Sequence, residues 1–313
     1  MMAVRRFFKG LFRGPLYPFL FAIMMGYRLL HLWRTYRALA RQSGLPPLNL
    51  RRADFAREGE TFFILGCGAS VNEYTPAQWD QIGANRSLGI NYWVYHEFVP
   101  DFLMFEMMGN FELGLETIRQ REEAFNMTRL IAKGNYCALN KYDDYERRMK
   151  ILPRSIRERT YLVKDFPLPG DTDQTFAWTL RWLDRRGFFD VKEGRLWLCQ
   201  KRASVTMAII LGIKLGFKKI VLCGIDLSNT AYFFDDEVFH AKGYKIADML
   251  QKGKVHETDA EQWGTLRVSD AIVVLQREIC DPRGIEITVA AESSGLFPSI
   301  PAFNWSSEGK KDQ

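Results

Sequence analysis

At 313 residues, with 47% hydrophobic and 14% aromatic content, the chain can bury a sizeable core and is neither disordered nor fibrous. Its net charge of +6 hides a split: ten of the 43 basic residues (Arg5, Arg6, Lys9, Arg13, Arg28, Arg34, Arg37, Arg41, Arg51 and Arg52) precede the first acidic one, Asp54. The rest carries 33 basic against 37 acidic residues, a formal −4, which excludes a phosphate-backbone binder, so no nucleic-acid partner is expected.

The chain opens on a basic stretch followed by Pro15–Tyr27, uncharged and mostly apolar but short of the roughly 20 residues a spanning helix needs. Arg28, His31, Arg34 and Arg37 then recur every three residues, with Leu29, Leu30, Leu32, Trp33 and Tyr36 between them. That is a cationic amphipathic helix, and it predicts that residues 1–41 associate with an anionic membrane surface. Two other readings stay open: packing of these helices on the body or on another subunit, and a signal peptide. The second lacks a small-residue cleavage site and would require Arg28 to Arg41 to be translocated. Ser43–Arg52 reads as a Pro-rich linker, which divides the chain into a membrane-associating segment and linker, 1–50, and a body, 51–313.

From Thr61 short apolar runs alternate with helix-like stretches, the pattern of an α/β, Rossmann-like, mostly parallel sheet with helices on both faces. Strands are predicted near Thr61–Leu65, Ser87–Ile90, Phe102–Phe105, Arg129–Ala132, Tyr161–Val163, Lys219–Cys223 and Glu286–Val289. Helices are predicted at Pro76–Ile82, Leu113–Ala124, Thr175–Arg186, Val205–Leu215 and Leu266–Cys280. The segment 227–265, rich in charge and aromatics, breaks this rhythm and reads as a lid. The five cysteines, Cys67, Cys137, Cys199, Cys223 and Cys280, never form Cys-x-x-Cys and read as reduced core residues of a cytoplasmic protein, with no zinc site.

Candidate ligand residues fall at the ends of these strands. FFILGCGASVNEYTP puts Gly66, Gly68 and Ser70 directly after the first strand, where glycines let backbone approach a phosphate or ribose and the following amides can receive negative charge. Asn91 ends the second strand with an amide that both donates and accepts, and Glu106 and Asn110 lie beyond the third. In QKRASVTMAIILGIKLGFKKIVLCGIDLSNTAYFFD, Arg202 and Ser204 stand at a helix entrance, and a buried strand runs into Gly224, Ile225 and Asp226. The acidic run Asp235, Asp236, Glu237 is either a divalent-metal site or a solvated face of the lid.

Together these motifs resemble the bacterial sialyltransferases of glycosyltransferase family 42. The likeness lies in the Gly-x-Gly-x-Ser turn after the first strand, the Asn ending the second, the Arg-x-Ser entrance, and the strand ending in Gly-Ile-Asp followed by a tyrosine. It spans about Thr61–Glu106 and Arg202–Val289. The resemblance implies an inverting enzyme that takes a sialic-acid-like sugar from a CMP donor, needing no cofactor and no metal, and delivers it to a cell-surface glycan or glycolipid such as a lipopolysaccharide precursor. It implies that Gly66, Gly68, Ser70 and Asn91 surround the CMP portion, that Glu106, Ser204, Asp226 and Ser228 line the same cleft, and that Tyr232 steadies the departing phosphate. Its general base would be a lid histidine, His256 or His240; Arg202 joins His256 and Tyr232 as a catalytic candidate. The chain departs from the family at Cys67, where asparagine is usual, at Ser228, where tyrosine is common, and at Gly264 and Thr265, where a gapless match would place the base. With the basic amino terminus and the reduced cysteines, the expected location is the cytoplasmic face of the bacterial inner membrane, peripheral or monotopic, and family relatives often form oligomers. Two further readings stand beside it: an enzyme resembling the archaeal-type hydroxymethylpterin pyrophosphokinases, using Mg²⁺ and ATP with Asp226 or Asp235 as ligands, and a non-catalytic membrane-attached glycan-assembly protein.

Overall fold

Eight apolar runs form one sheet: β1 (Thr61–Leu65), β2 (Arg86–Ile90), β3 (Phe102–Glu106), β4 (Arg129–Gly134), β5 (Thr160–Pro167), β6 (Trp197–Gln200), β7 (Lys219–Cys223) and β8 (Glu286–Val289). The computed structural model describes residues 17–106, 111–134, 145–191, 197–236, 239, 256, 258–260 and 265–305. Every neighbouring pair is parallel, in the order β6-β5-β4-β3-β2-β1-β7-β8. β1 to β6 are laid down in one direction and β7 and β8 on the other side of β1, so the winding reverses between β1 and β7. Seven strands match the sequence prediction; β6, four residues long, was not foreseen.

The sheet is covered on both faces, which is why its strands are largely apolar rather than regularly alternating with polar residues. Phe62 and Ile64 of β1 enter one core with Leu88, Phe102 and Met104, while Phe63 and Leu65 enter the other with Leu103, Phe105 and Trp93. Among the described residues, six helices of eight residues or more flank these cores: α1 (Tyr17–Ser43), α2 (Pro76–Gly83), α3 (Glu112–Gln120), α4 (Asp173–Asp184), α5 (Ser204–Leu215) and α6 (Val268–Leu275). α2 starts on a capping box, with Thr75 accepting from the Gln78 amide and a proline following in the first turn. α5 is buried along its whole length and stops at Gly216, whose φ of 88° closes the last turn.

The amino-terminal helix does more than precede the body. Phe21, Met25 and Leu32 belong to one core layer, and Tyr36 and Leu39 to the other. The stretch expected as a linker is also packed. β6 pairs only with Lys164–Pro167 of β5, and beside the uncovered part Leu48 N–H donates to the Leu162 carbonyl (2.8 Å) while Leu162 N–H donates to Pro46 (2.7 Å). Leu45, Leu48 and Leu50 are buried there. Among the described residues no helix is long and apolar enough to cross a membrane.

Candidate active site

In a parallel sheet of this kind the crevice opens at the carboxyl ends of the strands, where the winding reverses. A cavity of about 240 Å³ lies there, walled by the last residues of β2 and β3, by the residues that follow β1, β2 and β7, and by the entrance of α5. Gly66, Gly68, Asn91, Glu106, Arg202, Ser204, Asp226, Tyr232 and His256 all line it, although they are spread over 190 positions of sequence.

The glycines that line the cavity also serve the neighbouring turn. Gly66 N–H donates to the Cys223 carbonyl (2.7 Å) and Gly68 N–H to the Gly224 carbonyl (2.8 Å), so the β1 turn is laced to the β7 turn. A Cβ on Gly66 would lie 2.6 Å from the Gly224 oxygen, and one on Gly68 would lie 2.5 Å from the Asp226 carboxylate. The bare backbone is required by the other turn. The amides expected to receive negative charge are also engaged: Ala69 N–H donates to Ala231 (3.2 Å) and Ser70 N–H to Asp226 Oδ2 (3.0 Å).

Ser70 is not among the residues lining the cavity. Its hydroxyl donates to Asp226 Oδ1, so with its amide it holds both carboxylate oxygens and fixes Asp226 from behind. Ser228 is not among them either: its hydroxyl donates to the Ser293 carbonyl (3.0 Å), away from the cleft. Asp226 is 95% buried, and its own carbonyl accepts from Ser228 and Gly295, both at 2.6 Å.

Three non-glycine residues have left-handed backbones among those described: Asn91 (φ 52°), Arg202 (φ 64°) and Leu227 (φ 54°). All three border this cavity. Such conformations cost about 1–3 kcal/mol each and persist where the surroundings over-determine them, most often at binding sites. β2 ends at Ile90, so Asn91 begins the following turn instead of ending the strand. Its Oδ1 is buried and has no hydrogen-bond partner among the described residues. A buried carbonyl left without a donor costs about 1–3 kcal/mol, and here it stands at the wall of a cavity able to admit one.

His256 enters from the segment between Leu227 and α6. Its N–H donates to the Leu227 carbonyl (3.3 Å), Nδ1 meets Thr258 Oγ1 (2.9 Å), and Nε2 stands 3.5 Å from the Tyr232 hydroxyl. The two rings cross at 87°. Arg202 secures the same segment: Nη2 donates to the Ala260 carbonyl (2.7 Å), and Nη1 reaches Thr265 Oγ1 (3.2 Å) and the Leu266 carbonyl (3.4 Å). Asp259 accepts from Ser269 N–H (2.9 Å) in the first turn of α6 and so ties the segment to that helix. His256 thus meets Tyr232, while Thr265, the gapless position, is bonded to Arg202.

The other histidines divide clearly. His31 is on α1, and His96 is stacked on Trp93 with its Nδ1 accepting from Phe98 N–H (3.0 Å). His240, Asn110, Glu237, Cys137 and Gly264 lie outside the described residues. Asp235 caps its own turn by accepting from Tyr232 N–H (2.8 Å).

Sequence reasoning missed Lys133. Its side chain is only 2% exposed, at the end of β4, and its Nζ meets Glu106 Oε1, Ser204 Oγ (2.8 Å) and Gln200 Oε1 (3.1 Å). Ser204 also donates to Glu106 (3.2 Å). Three acceptors match the three protons of an ammonium, so two cavity-lining residues are braced by one buried cation. The available signal was a lysine following the apolar run Leu130–Ala132 of its strand. Burial pushes the Cys67 thiol up to about 12 and raises Tyr92, with Cys67 and Glu106 adding to the latter. Cys67 therefore stays a neutral thiol and offers no thiolate nucleophile.

No family model matches the chain, and no curated protein sequence matches it. Solved structures similar to it include a variant of the sialyltransferase CST-II in complex with CMP, at 15% identity, covering 77% of this chain and 85% of that one with a TM-score of 0.42. Another is CstII from Campylobacter jejuni in complex with a substrate analogue, CMP-3FNeuAc, at 14% identity, 78% and 88% coverage and a TM-score of 0.37. A third, the MAf glycosyltransferase from Magnetospirillum magneticum AMB-1, is 12% identical, with 81% of this chain and 34% of that one covered and a TM-score of 0.41. What the cleft can do chemically is set by its own residues.

Proposed function

We propose that this chain is an inverting glycosyltransferase that moves a sialic-acid-like sugar from a CMP donor to a glycan or glycolipid acceptor. One observation carries the reading: an unsatisfied, buried Asn91 amide oxygen and a Tyr232–His256 pair line the same cleft at the winding reversal of the sheet. Asn91 Oδ1 is suited to accept from an amino group such as that of cytosine. Thr258 meets His256 Nδ1 through both its hydroxyl (2.9 Å) and its N–H (3.3 Å), and in the tautomer with the ring proton on Nδ1 the Nε2 lone pair faces the Tyr232 hydroxyl and the cleft.

The transfer then balances as follows. The acceptor hydroxyl gives its proton to His256 Nε2 while its oxygen bonds to the anomeric carbon from the face opposite the nucleotide. The anomeric carbon–oxygen bond breaks, its electron pair leaves on the CMP phosphate, and the Tyr232 hydroxyl donates to the phosphate oxygen. A positioned base contributes about 10²–10⁴-fold and a positioned donor at the developing charge about 10²–10³-fold.

Thermal denaturation with CMP in the presence of a chelator tests the binding half, and release or transfer of sugar from a CMP-activated nonulosonic acid tests the chemistry. We expect CMP to raise the melting temperature and Asn91→Ala to remove that rise. His256→Ala should lower transfer by roughly 100-fold or more with the CMP shift retained. Full transfer by His256→Ala would remove the base assignment. A shift with ATP and Mg²⁺ but none with CMP would favour the pyrophosphokinase-like reading instead.

A further inference from the structure

The face that α1 turns away from the protein is not the one its charge periodicity suggested. At 100° per residue, Phe21, Met25, Leu32, Tyr36 and Leu39 share one side, and these are the residues that enter the cores. Arg28, read from the sequence as part of the cationic stripe, lies toward the body, its guanidinium donating to the Pro167 carbonyl. On the opposite side Phe19, Ile23, Tyr27, Leu30 and Trp33 are between 49% and 68% exposed. Of the nine large hydrophobic residues exposed among those described, six are on this one helix. Arg34, Arg37 and Arg41 continue the same outward side, with the Arg37 guanidinium 4.0 Å over the Trp33 ring.

We propose that this outward face of α1 docks on an anionic phospholipid surface, its aromatic half entering the headgroup boundary and its arginine half meeting the phosphates. Charge selects that occupant. Residues 1–16 carry four basic residues and no acidic one, so they are repelled by the arginine half, and a second copy would set like charges against each other. A bilayer bearing anionic lipids complements both halves.

The fold also gives the docked protein a direction. α1 passes from one core layer to the other over the strand ends: Arg28 binds Pro167, the last residue of β5, and Leu39 packs on Gly134, the last residue of β4. The cleft opens at this same carboxyl edge, so docking turns it toward the bilayer. A lipid-linked acceptor follows from that geometry and rests on the function proposed above; the docking itself does not.

Co-sedimentation of the full chain with vesicles tests it, using phosphatidylcholine alone and phosphatidylcholine mixed with phosphatidylglycerol. The chain should sediment with the mixed vesicles and dissociate as salt is raised. The triple variant Arg34→Gln, Arg37→Gln, Arg41→Gln should bind roughly 100-fold more weakly, about fivefold per arginine. Phe19→Ser with Ile23→Ser should also release the protein, and unaltered melting temperature and CMP response in both variants would show that fold and cleft are intact. Undiminished binding by both variants would place the contact in residues 1–16 and overturn the proposal. So would absence of vesicle binding, or a concentration-dependent dimer that Phe19→Ser with Ile23→Ser dissociates.

Discussion

Lys133 and Glu106 meet under the cleft floor, yet they do not share their burial. Lys133 is 2% exposed and Glu106 39%, and the price of losing a partner falls on whichever charge stays behind in the dry interior. Glu106→Ala strands the ammonium with only Gln200 and Ser204 as acceptors and should cost about 3–5 kcal/mol. Lys133→Met leaves a carboxylate with a path to water and should cost less than half of that. Urea denaturation of the two variants checks the order, and a more damaging Lys133→Met would contradict this account of the pair. The same scale explains Gly66 and Gly68, where the obstacle to a side chain is the Gly224–Asp226 turn itself. The sequence showed that glycine belonged there and could not show what approached it, because the nearest atoms are more than 150 positions away.

At the scale of elements, the segment carrying His256 is held at three points: to Leu227 through its own amide, to Arg202 through Ala260, Thr265 and Leu266, and to α6 through Asp259. Arg202 lines the cleft and its guanidinium donates to that segment, so it is expected to act as a positioning residue. Arg202→Met should therefore depress transfer more than CMP affinity and raise hydrogen exchange in residues 256–266. An unchanged exchange pattern with lost CMP binding would instead put the guanidinium on the nucleotide. The catalytic candidates here were legible as residue types but not as a group. Tyr232 and His256 are 24 positions apart with no periodicity linking them, and their meeting depends on where the chain re-enters before α6. α1 shows the opposite failure. Its charges recur every three residues, but a three-residue step precesses 60° per repeat around a helix, so Arg28 and Arg37 fall on opposite sides. Packing against β5 and α4, where Phe21 meets Trp178 and Trp182, decides which side is buried.

For the molecule as a whole, burial pushes the thiols of Cys67, Cys223 and Cys280 up to about 12. An unfolded thiol titrates near about 8.5, so above that pH the unfolded chain sheds protons that the folded one keeps. The contribution is fully present below about pH 8.5 and is lost as pH rises toward the folded values, at up to about 1.4 kcal/mol per pH unit for each thiol. The urea midpoint should accordingly hold level near neutrality and fall steeply above about pH 9. Replacing Cys280 with alanine should make that fall shallower. A midpoint that stays flat into strong alkali would show that these thiols are less enclosed than their surroundings imply.

The sequence by itself determined the α/β architecture, seven of the eight strands and the residue types at the carboxyl edge, because local burial leaves an apolar run and tight turns leave glycines. Only the tertiary structure decided which ends meet: that the β1 turn serves the β7 turn, that Ser70 braces Asp226 instead of the cavity, that Lys133 stands beneath Glu106, and which face of α1 looks outward. An apolar strand records that it is covered and carries no mark of its neighbours. Strand order and the path of the chain between strands supply that information, and both are settled by the packing of the whole.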